Sequence, residues 1–305
     1  MLEHLTTEAR NPASERLDSL SPIELVRLIN AEDAKVAAAV ADEAEAIAKG
    51  IEVIAHRLLH GGRLVYIGAG TSGRLGVLDA AECPPTFNSN PAHVVGLIAG
   101  GNGAMLKAVE GAEDSPELAS EDLRRIGFCS HDVLVGIATS GRTPYVIGAL
   151  DYARTQGAYT IALSCNRDAL MSSRAELNIT PIVGAEVLSG STRMKAGTAT
   201  KMVLNMLSTG AMVLMGKTYG NLMVDMQATN TKLTERAKRI VRTLAGVSDG
   251  EAAELLERAG GEVKTAIIAY RLNVTPEAAR TMLQTTRGHL RQALEGGQPP
   301  ANGKA

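Results

Sequence analysis

The chain has 305 residues, of which 45% are hydrophobic and 21% are charged, and its formal net charge is −2. This length suffices for one large or two small domains, and the scattered, nearly balanced charge excludes an extended basic face for nucleic acid or a membrane surface. No apolar run approaches the roughly 18 residues of a membrane span, and the first residues lack the apolar core of a signal peptide.

The cysteines and histidines predict a reduced, metal-free protein. Cys83, Cys129 and Cys165 are odd in number and far apart, which is typical of unpaired thiols and a cytoplasmic location. His56 and His60 are four residues apart on a predicted helix, a spacing that allows two ligands to one metal ion. Because no third ligand lies nearby, we expect a solvated helix face there and no metal site.

Residues 1–50 are predicted to be an N-terminal helical segment. Ser21-Pro22-Ile23-Glu24 combines a capping box with a proline at the first helical position, so a helix starts there and runs to about Asn30. The Ala-rich stretch from Ala31 to about His60 predicts one long helix that is broken or bent near Gly50.

Residues 51–245 are predicted to form an α/β domain, because apolar strands alternate with helices. The strands are expected at Leu64–Gly68, His93–Ile98, Val133–Ile137, Thr160–Ser164 and Asn178–Ile182. The helices are expected at Gly73–Ala81, Met105–Val109, Pro116–Arg125, Pro144–Gln156 and Met194–Met215. Strands this apolar, separated by helices, indicate a parallel sheet flanked by helices on both faces.

Residues 246–295 are predicted to be a small C-terminal bundle of three helices. Helix-start patterns place these helices at Ser248–Arg258, Glu262–Leu272 and Thr275–Thr286. Residues 296–305 are rich in glycine and proline, which predicts a disordered tail.

A repeated turn is the most informative feature of the chain. Gly68–Arg74 and Gly136–Arg142 share the pattern Gly-x-[Gly/Ala]-Thr-Ser-Gly-Arg, and each copy lies between a predicted strand and a predicted helix. Such a turn directs backbone N–H groups and hydroxyls at one point, which suits an anion. In an open parallel sheet both copies would lie at the carboxyl ends of strands, where ligands bind.

The anion is predicted to be a phosphomonoester. Gly68-x-Gly70-x-x-Gly73 also matches a dinucleotide fingerprint, but that fold needs an acid after the second strand, and no Asp or Glu occurs between Cys83 and Val109. The lysine of a nucleotide-binding P-loop is also missing, because Arg74 follows Gly73. The predicted phosphate-binding residues are Thr71, Ser72, Gly73, Thr139, Ser140, Gly141 and Thr143, the glycines acting through their backbone N–H groups. The alternative for each Ser or Thr alone is an N-cap.

Two acidic turns accompany the phosphate turns. Glu82 is expected at the end of the first helix, in an apolar context before a break at Pro84-Pro85, and Glu113 lies in the acidic segment after the second strand. Two carboxylates beside a bound sugar phosphate can serve as general acid and general base, although solvation or helix capping is the ordinary role of such residues. The residues alone therefore predict an isomerase or a lyase that acts on a phosphosugar.

Several long motifs resemble those of the N-acetylmuramic acid 6-phosphate etherases. They are Gly68–Gly76, Asp79–Pro85, Val109–Ser115, Ala138–Tyr145, Gly190–Thr198 and Gly220–Asp225, and the resemblance covers about residues 5–295. It implies the sugar isomerase (SIS) fold, which that family shares with the glucokinase regulatory protein, and a homodimer without metal or nucleotide cofactor.

The resemblance also implies the reaction. These lyases cleave the D-lactyl ether of N-acetylmuramic acid 6-phosphate across C2–C3 and add water, giving N-acetylglucosamine 6-phosphate and D-lactate in peptidoglycan recycling. By motif match Glu82 protonates the leaving lactate and Glu113 removes the C2 proton, with an exchange of roles left open. Possible further substrate contacts are Ser191, Arg193 and Lys195, at the start of a helix, and Lys264, acting as a lid from the bundle.

Two other functions stay open on the sequence. An aldose–ketose phosphosugar isomerase would share the phosphate turns and a base but would need no second acid. A non-catalytic phosphosugar-sensing regulator would keep the turns and bind without turnover. A regulator of transcription would also need a basic helix-turn-helix, for which the Ala/Glu-rich N-terminal helices are poor candidates.

Overall fold

The computed structural model of the protein describes residues 6–107, 109–225 and 231–296. The chain divides into two compact units, here called the sheet unit and the helical unit. The sheet unit takes the residues up to Ala81 and Pro91–Thr209, and the helical unit takes Glu82–Asn90 and the residues from Gly210 onward. Among the described helices, none combines the length and the apolar content that crossing a membrane requires.

The sheet unit is built on five parallel strands in the order β2-β1-β3-β4-β5. The strands are β1 Leu64–Gly68, β2 Val94–Ile98, β3 Val133–Ile137, β4 Tyr159–Leu163 and β5 Leu177–Ile179. The predicted α/β class and parallel sheet are confirmed, with strand ends shifted by up to three residues in β5. Every residue of β1 and β3 is buried, because helices cover both faces of the sheet.

Twelve α-helices are seen in the described residues. They are α1 Pro22–Asp33, α2 Val36–Ala41, α3 Ala44–Leu59, α4 Gly70–Phe87, α5 Pro116–Arg125, α6 Pro144–Thr155, α7 Lys195–Leu214, α8 Thr231–Ala245, α9 Asp249–Arg258, α10 Val263–Leu272, α11 Pro276–Thr285 and α12 Leu290–Leu294. A short antiparallel hairpin, β6 Thr218–Tyr219 and β7 Leu222–Met223, belongs to the helical unit.

The predicted long helix with a bend near Gly50 is wrong. The chain forms α2 and α3 with breaks before and between them, and the second break is at Glu43, whose carboxylate accepts the Thr180 N–H at 2.9 Å. Gly50 lies inside α3, where a Cβ atom would be 2.7 Å from Leu207 Cδ2. This glycine therefore serves close packing of the helix in the sheet unit, not a bend.

Helix α4 is longer than predicted at both ends. It starts at Gly70 and continues through Pro84 and Pro85 to Phe87, so the expected break at the prolines is wrong. Asn88, the first residue after the helix, has a φ of +50° and donates its N–H to Pro84 O at 2.9 Å. The predicted helix Met105–Val109 is also wrong, because a 3-10 turn at Asn102–Met105 ends where it should start and the described residues after Met105 are not helical.

The helical unit has its own apolar core. Leu233, Ile240 and Val241 of α8 share this core with Ile267 and Ile268 of α10. The three predicted C-terminal helices correspond to α9, α10 and α11, but the predicted boundary after residue 245 separates α8 from helices with which it packs. The N-terminal helices likewise lie in the same compact unit as the sheet, not in a separate segment. Apart from Gly296, the predicted tail at 296–305 lies outside the described residues.

Candidate active site

The two repeated turns lie next to each other. Strand β1 pairs with β3 in parallel register, with Gly68 opposite Ile137, so the turns that follow these strands leave the same edge of the sheet. A carboxyl-terminal sheet edge is where parallel α/β proteins bind ligands. The strand order therefore brings Thr71 and Ser72 to the same edge as Thr139 and Ser140.

The first turn is the N-terminal turn of α4. Gly70 has a φ of +52°, and Thr71 and Ser72 follow inside the helix. The first N–H groups of a helix have no partner within it, so this end of α4 offers donors to an anion. The N–H of Gly73, however, donates to Ala69 O at 3.2 Å, so its predicted use for phosphate is not supported. Gly73 acts sterically, because a Cβ atom there would lie 2.6 Å from Gly68 O.

The second turn leads from β3 into α6. Gly141 has a φ of +68° and donates its N–H to Ala138 O at 2.8 Å, so this predicted backbone donor is also engaged within the chain. Ser140 Oγ accepts the Arg142 N–H at 3.3 Å. Thr143 is the N-cap residue of α6, yet its side chain makes no capping hydrogen bond. The Thr143 hydroxyl therefore does not serve as a helix cap.

Arg142 adds a donor to the second turn. Its Nε atom is buried and has no hydrogen-bond partner among the described residues. A buried donor without an acceptor is costly, and a bound anion is one kind of acceptor that removes this cost.

The start of α7 lies against the first turn. A Cβ atom at Gly197 would be 3.7 Å from Thr71 Cγ2 and 3.4 Å from Thr192 O. The residues just before α7 therefore belong to the surroundings of the turn: Ser191 and Thr192 are half-buried and Arg193 is exposed. Of the predicted substrate contacts, Ser191 and Arg193 are compatible with a ligand in this place.

Glu82 and Glu113 are both exposed. Glu82 lies on α4, so the apolar surroundings expected for it before a helix break are not observed. Glu113 lies on a 3-10 turn, Ala112–Asp114, that follows Gly111 at a φ of +77°. Both carboxylates are accessible to a ligand, and neither is engaged in a buried ion pair.

The comparison with known proteins identifies the family. Residues 46–154 match the family model described as "Glucokinase regulatory protein N-terminal SIS domain". An N-acetylmuramic acid 6-phosphate etherase of Rhodopirellula baltica is 59% identical, with 96% of this chain and 97% of the relative aligned. The chain belongs to the N-acetylmuramic acid 6-phosphate etherase family. An etherase of Streptomyces avermitilis and one of Aliivibrio fischeri are each 54% identical to this chain. Each alignment covers 96% of this chain, with 94% of the Streptomyces protein and 98% of the Aliivibrio protein.

Lys195 is not free to contact a substrate in this etherase. Its ammonium group lies 2.6 Å from Glu32 Oε2, and the Lys195 side chain is only 2% exposed. The prediction of a substrate contact failed because the partner, Glu32, lies far away in the sequence.

The start of α7 already has an anion. The carboxylate of Glu186, which is fully buried, accepts the N–H groups of Lys195 at 3.0 Å and Ala196 at 2.9 Å. Ser191, Arg193 and Lys195 at this helix start were predicted to contact the substrate, but the chain itself supplies a carboxylate to the first N–H groups of the helix. Sequence inspection missed Glu186, which carries no motif that marks it as a helix cap.

Asp79 is a second residue whose role sequence inspection missed. Its buried carboxylate accepts hydrogen bonds from Tyr66 Oη at 2.9 Å, Asn205 Nδ2 at 2.6 Å and Ser208 Oγ at 3.1 Å. Burial raises the pKa of Asp79, against the lowering effect of these donors. The contacts tie α4 to β1 and α7 one helical turn before Glu82. Its place in the motif Asp79-Ala-Ala-Glu82 is the one hint in the sequence.

Asn166 joins the second turn to the N-terminal segment. Its Nδ2 donates to Thr139 O at 2.8 Å and to Thr7 Oγ1 at 3.1 Å, and its Oδ1 accepts from Thr6 Oγ1 at 2.8 Å. No pattern in the sequence marked this amide, because its partners lie in distant segments.

Lys264 has partners inside the helical unit. Its ammonium donates to Gly288 O at 2.9 Å and lies 3.1 Å from Asp225 Oδ2, which also pairs with Lys217 at 2.7 Å. Burial lowers the pKa of Lys264. The Lys264 ammonium group is therefore already bound within the helical unit and is not free for the expected contact with the substrate.

His56 lies on α3, and His60 is the C-cap residue of that helix. The rings of His56 and His60 are 4.2 Å apart between centroids. In the part of the chain that the structure describes, no cluster of three or more His, Cys, Asp or Glu residues is arranged to hold a metal ion.

Proposed function

We propose that this etherase converts N-acetylmuramic acid 6-phosphate to N-acetylglucosamine 6-phosphate and D-lactate, a step of peptidoglycan recycling. The observation that carries the proposal is the pair of [Gly/Ala]-Thr-Ser-Gly turns after adjacent strands, with the start of α7 against the first of them. Relatives named N-acetylmuramic acid 6-phosphate etherase align with 96% of the chain, which supports this reaction.

The phosphate is proposed to bind at the paired turns. Hydroxyls of Thr71, Ser72, Thr139, Ser140 and Thr143 serve as donors, together with the first N–H groups of α4. The Nε atom of Arg142 is a further buried donor beside the second turn. Hydroxyls and helix N-termini bind a phosphate dianion through charge-assisted hydrogen bonds.

The chemistry needs one base and one acid. In the open-chain sugar the C2 proton is acidic because it is α to the aldehyde, and Glu113 is proposed to remove it. The C3–O bond then breaks, a C2=C3 double bond forms, and Glu82 protonates the lactate oxygen, which is otherwise a poor leaving group. Water then adds at C3 and gives its proton to the ionised Glu82, and Glu113 returns a proton to C2, so both carboxyl groups regain their starting states. These reaction steps balance through proton transfers alone, so no cofactor is proposed.

The test separates the two carboxylates. We expect Glu82→Ala to abolish lactate release while C2–H exchange in D₂O persists, because elimination lacks its acid but the base remains. Glu113→Gln is expected to lose both activities. Glu110→Gln, which neutralises an exposed acid in the same segment, is the matched control and is expected to keep both.

Three results would contradict the proposal. Full lactate release by Glu82→Ala would remove the assignment of the acid. Turnover of glucosamine 6-phosphate or fructose 6-phosphate without lactate release would indicate an isomerase. Tight phosphosugar binding without any turnover would indicate a sensor.

We also propose that the protein is a cytoplasmic homodimer. The dimer rests on the family resemblance. The location rests on the three cysteines, none of which is in a disulfide bond.

A further inference from the structure

A buried charge network lies behind the start of α7; we call it the α7 anchor and define it as Glu32, Lys195 and Glu186. Lys195 Nζ is 2.6 Å from Glu32 Oε2, and their side chains are 2% and 5% exposed. Asn11 Nδ2 donates to the same Glu32 oxygen at 3.0 Å, and Lys35 Nζ lies 2.6 Å from Glu32 Oε1. The α7 anchor thus joins α1 to the first residue of α7.

Glu186 holds the same helix end from another side. Its two oxygens accept the first two N–H groups of α7, those of Lys195 and Ala196. Asn11 Nδ2 also donates to Ala185 O at 3.1 Å, which links Glu186's own segment to Glu32. Both the backbone and the side chain of Lys195 are therefore fixed by carboxylates.

Stability alone does not explain such a network well. Removing two charges from water is expensive, and a buried ion pair often contributes no more to stability than apolar residues of similar volume. What a fixed pair adds is one defined geometry for the elements that it joins. Here the element whose position is fixed is the start of α7. A Cβ atom at Gly197 would lie 3.7 Å from Thr71 Cγ2 of the first turn, so this helix start packs against that turn.

We propose that Glu32, Lys195 and Glu186 are positioning residues that hold the start of α7 against Thr71 and so maintain the phosphate-binding shape of the first turn. The three side chains touch no substrate. They act through the segment Ser191–Gly197 and through Thr71. This inference rests on the proposed function, because it takes the first turn as the phosphate site.

The primary variants are Lys195→Met and Glu32→Gln. For both we expect KM for N-acetylmuramic acid 6-phosphate to rise about tenfold or more, while kcat changes by less than about threefold. The phosphate lies away from the reacting C2–C3 bond, so a loosened turn weakens binding more than chemistry. The inhibition constant for inorganic phosphate, measured as a competitor, is expected to rise by the same factor as KM.

Two variants separate positioning from general stability. Asp132→Asn breaks another ion pair that has a buried carboxylate, in which Arg63 Nη2 lies 2.7 Å from Asp132 Oδ2. This pair lies at the amino ends of β1 and β3, and the two turns lie at the carboxyl ends. The Asp132→Asn variant is expected to lower the melting temperature and leave KM and the phosphate inhibition constant unchanged. Lys195→Arg retains the positive charge and is expected to recover most of the lost phosphate affinity.

The outcomes are decisive in either direction. If Lys195→Met and Glu32→Gln melt earlier but bind substrate and phosphate as the wild type does, the inference is overturned. The same holds if Asp132→Asn raises KM equally. Should Lys195→Met not fold, Glu32→Gln decides alone, because the amide keeps the size and an acceptor for Asn11. Thr71→Val tests the proposed function separately. An unchanged KM for this variant would contradict the assignment of the first turn as the phosphate site.

Discussion

At the residue scale, buried charges in the sheet unit are met by partners of opposite charge or by donors. Lys195 pairs with Glu32, Glu186 accepts two N–H groups, and Asp79 accepts three side-chain donors. Unpaired charges at these depths would be strongly destabilising. Their partners come from other elements, and Lys195 and Glu32 are separated by 163 positions.

Glu32 is expected to make stability depend on acid pH. Burial opposes its ionisation, but hydrogen bonds from Lys195, Lys35 and Asn11 outweigh burial and lower the pKa from 4.5 to about 2. Because the folded pKa is the lower one, the stabilisation is complete above about pH 4.5 and is lost as pH falls towards 2. Glu32→Gln should therefore cost about 3–5 kcal/mol at neutral pH and progressively less below pH 4.5.

Urea unfolding of the wild type and of Glu32→Gln at a series of pH values measures this difference. Glu24→Gln is a suitable control, because that exposed carboxylate only caps α1. A difference between wild type and Glu32→Gln that stays constant from pH 7 to pH 3 would contradict the assigned pKa.

At the element scale, glycines let α4 approach the sheet closely. A Cβ at Gly73 would lie 2.7 Å from Ile98 Cγ1, and one at Gly76 would lie 2.9 Å from Tyr66 Cβ. On the strand side, a Cβ at Gly96 in β2 would be 2.5 Å from Val77 Cα. This close packing fixes the distance between α4 and the sheet. It therefore also fixes the position of the first turn, which lies at the N-terminus of α4.

Gly96→Ala is expected to destabilise the protein by about 1–3 kcal/mol, because the added methyl meets the backbone of Val77 and cannot be accommodated by a side-chain rotation. Thermal or urea unfolding measures the change. Gly103→Ala is the matched control, since a Cβ there meets nothing within 4 Å and the glycine has no positive φ. Equal stability of the two variants would contradict the close approach of α4 to β2.

At the scale of the whole molecule, the chain divides into two units, each with a core. Residues such as Leu134 and Tyr145 form the core of the sheet unit, and Ile267 and Ile268 lie in the core of the helical unit. The three cysteines differ in exposure: Cys83 and Cys165 are buried, and Cys129 is exposed. Burial raises the pKa of Cys165 to about 12, so its reactive thiolate form is scarce at neutral pH.

A thiol titration is expected to follow this distribution. One thiol of the native protein should react rapidly with an aromatic disulfide reagent, and all three should react after unfolding in guanidinium chloride. Cys129→Ser should remove the rapid reaction. Rapid modification of two or more thiols in the native protein would contradict the burial of Cys83 and Cys165.

The sequence by itself determined the features that depend on neighbouring residues. Apolar runs located the five strands of the parallel sheet, capping patterns located α1, α9 and α11, and the repeated [Gly/Ala]-Thr-Ser-Gly pattern located the two turns. Periodicity, capping and turn chemistry are local, so they can be recognised without knowing the fold. The long motifs also indicated the etherase family that the relatives then showed.

Only the tertiary structure decided the features that depend on distant residues. It showed that Gly50 packs a helix against Leu207 where a bend was expected, and that Lys195 is neutralised by Glu32. In each case the deciding atom is brought close by folding, and its identity leaves no mark on the residues around the position. A lysine beside a phosphate turn and a lysine buried in an ion pair have the same local sequence; only the partner distinguishes them.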